Sequence, residues 1–272
     1  MLPVSRLRRR QALQYGDPAK SPVARTGRAR IATIYAAMGI LFGSSALAEV
    51  DNHLSPKCLE DAMLVFDASG SMSGIDEGGN DRLTTRIDDA RNALAQSLPR
   101  VTPYRRLGLM NYGPGGHCNI VLNMRPVFDA GPRIMDEVNR ISPDGRTPLT
   151  GAVAQAADVL DYRNKAAIIV LLTDGAETCG GQPCELAKSL KATGKDITVH
   201  VVGYRMRDLI SVREQGVTDM KCLAAQTGGH FIPADSIDEL VDALNKTLGC
   251  PLITKLKAPG VDVSRLRSRE PS

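Results

Sequence analysis

The sequence predicts an α/β protein with a doubly wound, mostly parallel central sheet, one antiparallel edge hairpin, and helices on both faces. Three observations carry that expectation. The apolar runs at 62–66 and 166–172 are unbroken and of strand length, as strands covered on both faces require. Segments with apolar residues at helical spacing alternate with such runs. The runs at 107–112 and 120–122 are separated by little more than Gly113-Pro114-Gly115-Gly116, which predicts a hairpin at one edge.

Taken in order, residues 49–57 are a polar lead-in and 62–66 the first strand. Residues 73–81 hold Gly74, Gly78, Gly79 and Asn80 and read as an exposed loop. Leu83, Ile87, Ala90, Leu94 and Leu98 then share one helical face, and Pro99 ends the run. After the hairpin come a short helix at 132–141 and a loop at 142–146. Leu149, Val153, Ala157 and Leu160 line the next helix. The strand 166–172 follows, then a helix at 184–193 stopped by Gly194, and a strand at 197–202. Residues 204–218 read as irregular, 222–226 as helical, and 230–232 as a short edge strand. Ile237, Leu240, Val241, Leu244 and Leu248 stripe the last helix. The segment 251–272 is polar and basic, with the composition of a disordered tail.

Charge is unevenly placed. Residues 1–30 carry +7 and 251–272 carry +3, which leaves 31–250 at −6. An acidic body argues against nucleic acid as partner. The basic start precedes an apolar run at 31–42 and an Ala46-Leu47-Ala48 ending. Together these read as a secretory signal peptide spanning 1–48, cut after Ala48. The rival is an uncleaved anchor with its basic end inside, the only way this reading allows membrane contact. The chain is thus expected to be exported, to a periplasmic or extracellular space. The six cysteines, Cys58, Cys118, Cys179, Cys184, Cys222 and Cys250, point to disulfides in such a compartment. They allow fifteen connectivities, with Cys179–Cys184 able to close a small loop.

The candidate site begins at Asp67-Ala68-Ser69-Gly70-Ser71, just past the first strand. A carboxylate and two hydroxyls at alternate positions can turn three hard oxygens toward one point, which suits magnesium. Sites in such sheets form at the carboxyl ends of the strands. Asp174 follows the strand 166–172, and Thr147 sits in a loop entering a helix. If the two apolar strands are neighbours, Asp67, Ser69, Ser71, Thr147 and Asp174 meet at one edge.

These three motifs, in order, resemble the metal-ion-dependent adhesion site of the von Willebrand factor type A domain, over roughly residues 58–250. The segments 173–181 and 227–231 look like bacterial exported members. The resemblance implies that Ser69 and Ser71 bind the metal directly. Thr147, Asp67 and Asp174 would bind directly or through water. The ion would be Mg2+, or Mn2+ or Ca2+, with one position left for a carboxylate of a partner protein. Family members often join the two domain ends by a disulfide, which implies Cys58–Cys250. With Cys179–Cys184 this leaves Cys118–Cys222 by elimination.

An enzyme is not expected. A hydrolase of the haloacid dehalogenase kind wants a second Asp where Ser69 stands, and no P-loop or G-x-S-x-G elbow is present. None of His53, His117, His200 and His230 stands at a spacing that marks a general base. A structural envelope component without metal-dependent binding is the remaining alternative. Glu177 reads as a solvated loop carboxylate, or else as an acceptor from a backbone amide. Asp76, Glu77 and Asp81 are assigned to solvent. Arg146 could help attract an acidic partner.

Overall fold

The computed structural model describes residues 50–54, 58–77, 83–206, 214–250 and 252–256. The signal segment 1–48, residue 81 and the tail beyond 256 lie outside the described residues, as do the side chains of Asp76 and Glu77.

The strands in chain order are β1 (Val50–Leu54), β2 (Asp61–Asp67), β3 (Ile75–Glu77), β4 (Leu83–Thr85), β5 (Leu107–Gly113), β6 (Asn119–Val127), β7 (Ala166–Thr173), β8 (Asp196–Tyr204), β9 (Phe231–Ala234) and β10 (Leu252–Leu256). The helices are α1 (Arg86–Val101), α2 (Gly131–Arg140), α3 (Leu149–Val159), α4 (Pro183–Thr193), α5 (Glu214–Gln226) and α6 (Ile237–Leu248).

Six strands form the main sheet in the order β6-β5-β2-β7-β8-β9. Only β5–β6 is antiparallel, and it is the edge hairpin the sequence predicts. The strand β2 lies between β5 and β7, parallel to both, so the chain winds outward from it in both directions. That reversal is where open α/β sheets leave a crevice at their carboxyl ends.

Alternation along the central strands splits the core in two. Leu64, Phe66, Val170 and Leu172 face one cluster, which α1, α2 and α6 cover. Met63, Val65, Ile169 and Leu171 face the other, under α3, α4 and α5. Each strand is therefore apolar on both sides, which explains its unbroken hydrophobic run.

The structure departs from the expected elements in four places. Pro99 lies inside α1 rather than ending it. It falls in the last turn, where the missing N–H costs a single hydrogen bond near the helix end. Leu83 is not on the helix face; it is 73% exposed, in a short hairpin of β3 and β4. The Thr85 hydroxyl accepts from the Asp88 N–H and starts the helix at Arg86. Helix α5 begins at Glu214, within the stretch expected to be irregular. Finally, β1 and β10 pair antiparallel, where a lead-in and a disordered tail were expected.

Candidate metal centre

The end of β2 and the end of β7 lie side by side, which brings Asp67 next to Thr173 and Asp174. The Thr173 hydroxyl donates to Asp67 Oδ2 at 2.6 Å. The Ser69 N–H donates to Asp67 Oδ1 at 2.8 Å, which bends the chain just past the strand. A short 3-10 turn, Gly70–Ser73, then carries Ser71 back over the strand ends. The Ser71 hydroxyl donates to Asp174 Oδ1 at 2.7 Å and lies 3.0 Å from the Ser69 hydroxyl.

Thr147 enters from a third loop. The Gly70 N–H donates to Gly145 O at 3.1 Å and the Asp144 N–H to Ala68 O at 3.0 Å, fixing this loop to the Ser69 turn. Gly145 has φ +75°, and a Cβ there would strike Gly113 O, so the close approach needs glycine. The Thr147 N–H donates to the Thr178 hydroxyl at 2.8 Å, and the Thr178 N–H returns to Thr147 O at 3.0 Å. A Cβ built on Gly175 would lie 3.7 Å from Ser71 Oγ and 3.9 Å from Thr147 Oγ1. Both hydroxyls thus line a space that glycine leaves open.

All five candidate residues meet at one edge of the sheet. Asp67 and Asp174 are fully buried, with Ser69 and Thr147 nearly so, while Ser71 is exposed. In front of them opens a cleft of about 360 Å³ lined by Ser69, Ser71, Gly145, Arg146, Thr147 and Thr178. The hydroxyls of Ser69, Ser71 and Thr147 line it, Asp67 and Asp174 lie buried behind them, and Arg146 is exposed.

Burial, and after it the charge of Asp174, pushes the Asp67 carboxyl up to about 6. Tyr112, paired with Asp67 across β5, is pushed well above the ordinary phenol range by its burial, with Asp67 adding to the shift. It therefore stays neutral.

Three residues of the site were not singled out in the sequence. Arg86 places Nη1 3.0 Å from Asp174 Oδ2. Thr173 and Thr178 hold a candidate ligand each. Thr173 opens the Thr173-Asp174-Gly175 segment and Thr178 follows it by three residues, a proximity that could have marked them. Arg86 lies 88 residues from Asp174 and carries no such signal. Glu177 is not a solvated carboxylate; it accepts from the Thr150 N–H at 2.8 Å and the Cys179 N–H at 2.7 Å. It so caps the first turn of α3.

Among the described residues, no group of three or more His, Cys, Asp and Glu side chains is placed to hold a metal. The cysteines pair as Cys58–Cys250, Cys118–Cys179 and Cys184–Cys222. This corrects the expected Cys179–Cys184 and Cys118–Cys222. Cys184 lies in the first turn of α4, which packs on α5, and the Cα atoms of Cys184 and Cys222 are 5.2 Å apart. Cys179 instead runs past the hairpin turn, 3.9 Å from His117 O, and meets Cys118 with Cα atoms 6.0 Å apart.

Sheet order, helix layers and cleft together define a fold of the von Willebrand factor A type. Residues 62–177 match the family model described as von Willebrand factor type A domain. The chain is similar to the uncharacterized protein YwmC of Bacillus subtilis, at 29% identity over 211 residues, covering 72% of this chain and 87% of that one. Among solved structures it is similar to a von Willebrand factor type A protein from Catenulispora acidiphila, with TM-score 0.52 and 16% identity. That match covers 70% of this chain and 42% of the other. Proximal thread matrix protein 1 from the mussel byssus, solved with a zinc-occupied MIDAS motif, aligns with TM-score 0.50 and 16% identity. It covers 74% of this chain and 49% of that one.

Proposed function

We propose that this protein is an exported binding module that grips a divalent cation with Asp67, Ser69, Ser71, Thr147 and Asp174. Through that cation it recognises an acidic residue of a partner protein. The observation that carries the reading is the convergence of three hydroxyls on one open cleft, with two buried carboxylates hydrogen-bonded behind them. Every donor is a hard oxygen, as Mg2+ and Mn2+ prefer. The oxygen spacings of 2.7 and 3.0 Å are common to a shared hydrogen bond and to the edge of an octahedron with bonds of about 2.1 Å. An ion can therefore replace these hydrogen bonds with little movement.

Neutral hydroxyls on the open side leave the ion's charge poorly quenched, and an anionic ligand completes it. The cleft lining offers hydroxyls and one arginine but no imidazole or carboxylate to act as a general base, which favours binding over bond breaking. The mussel protein supports the metal reading, since its site of the same type holds zinc. The leader-like segment and three disulfides support export.

Calorimetry with Mg2+ and Mn2+ tests the metal. The full chain should bind one ion, and Ser69→Ala and Asp174→Ala should abolish binding while circular dichroism stays unchanged. Undiminished binding by either variant would refute the site. A pull-down from envelope extracts should recover a partner in Mg2+ and lose it in EDTA or with Asp174→Ala. Capture that persists in EDTA would refute recognition through the ion.

A further inference from the structure

We propose that Arg86 is the built-in counter-ion of this site: it holds Asp174 in place without a metal and lowers the affinity of the ion that displaces its influence. The inference rests on the metal-binding reading above.

Arg86 is the first residue of α1, and its N–H is anchored on Gly74 O at 3.0 Å, directly after the Ser71 turn. Its guanidinium reaches Asp174. Nη1 lies 3.0 Å from Asp174 Oδ2, while Asp174 Oδ1 takes the Ser71 hydroxyl at 2.7 Å. The carboxylate is thus divided between the Ser71 hydroxyl and the guanidinium. The Asp174 side chain is fully buried and that of Arg86 is 20% exposed, so their attraction is little screened.

The charges decide the consequence. Asp67 and Asp174 together carry two negative charges when ionised, and Arg86 carries one positive. Without a cation, Arg86 offsets half of the carboxylate charge, and the buried pair of acids survives in a folded chain. With a divalent cation these groups sum to one net positive charge, where the two carboxylates and the ion alone would be neutral. The guanidinium then repels the ion and competes with it for Asp174, and the surplus charge is directed to an anionic ligand at the mouth. Occupancy therefore depends on the divalent-ion concentration outside, because the site is built to persist without the ion.

Arg86 acts through Asp174 and is a positioning residue, so the test must separate charge from mere support. In calorimetry on the full chain, Arg86→Gln should bind Mg2+ at least about tenfold tighter than wild type. Its unfolding midpoint should fall in EDTA and recover in Mg2+, giving a larger metal-induced shift than wild type. Arg86→Lys, which keeps the charge, should resemble wild type in both. Unchanged or weaker Mg2+ affinity in a folded Arg86→Gln would overturn the proposal. So would a variant that stays unfolded in Mg2+, because the ion should substitute for the lost guanidinium. If wild type itself binds no Mg2+ or Mn2+, the metal reading fails first and the inference falls with it.

Discussion

Asp67 shows how far one residue can be read from its surroundings. Its carboxyl is fully buried beside a second acid and sits at about 6, above the ordinary 3.8. A folded-state value above the unfolded one means that protonation favours the folded chain. The contribution is full below about 3.8 and is lost as pH rises through about 6. In EDTA, Asp67 should therefore cost the fold up to about 3 kcal/mol between pH 4 and pH 7. Urea titrations at several pH values should show this slope in wild type and a flatter one in Asp67→Asn; parallel curves would contradict it. In Mg2+ the slope should shrink, because the ion stabilises the ionised carboxylate, and ion affinity should weaken below about pH 6. The five candidate ligands were legible because each is a hard oxygen donor at a strand end or helix entrance. Arg86 was not, since an arginine opening a helix after Thr84-Thr85 looks like any solvated charge. Only the fold brings it to Asp174.

At the scale of elements, the site is three loops tied at their backbones. The 142–148 loop is bonded to the Ser69 turn at Gly70–Gly145 and Ala68–Asp144. It is tied to the hairpin by the Arg146 N–H on His117 O at 3.0 Å, and to the β7–α4 loop through Thr178. The Cys118–Cys179 disulfide closes this arrangement covalently, with Cys118 exposed at the surface. Replacing both cysteines with serine should leave the sheet intact and lower Mg2+ affinity about three- to tenfold, because Thr147 loses restraint. Calorimetry beside far-UV circular dichroism checks this; unchanged affinity would show that hydrogen bonds alone position the loop. The strands and long helices were readable because hydrophobic period and length agree in them. The disulfides were not. A five-residue spacing favours Cys179–Cys184 by loop closure, but α4 turns Cys184 toward α5 instead. Leu83 misled for a related reason: it continues the helical stripe, yet the Thr85 cap starts the helix three residues later. Local capping outweighed a period that carried on by chance.

The whole molecule places its longest-range crosslink and its candidate metal centre at opposite edges of one sheet. The carboxyl ends of β2 and β7, with the loop entering α3, carry the five candidate oxygen donors. The amino end of β2 holds Cys58, joined to Cys250 just past α6 across a sequence separation of 192 residues. Beside it Arg105, almost fully buried, donates to Leu248 O at 2.7 Å and Glu60 O at 3.2 Å, clamping the last helix to the first sheet strand. A crosslink closing so long a loop restricts the unfolded chain more than the folded one, by about 5 kcal/mol on a loop-entropy estimate. None of these groups touches the cleft. Replacing Cys58 and Cys250 with serine should therefore lower the urea midpoint by several kcal/mol equivalent and raise the m-value, as the freed unfolded chain expands. Mg2+ affinity at a temperature where the variant is folded should match wild type within about twofold. If ion affinity fell with stability, the two edges would be coupled through the sheet, and the last helix would have to be counted as part of the recognition apparatus.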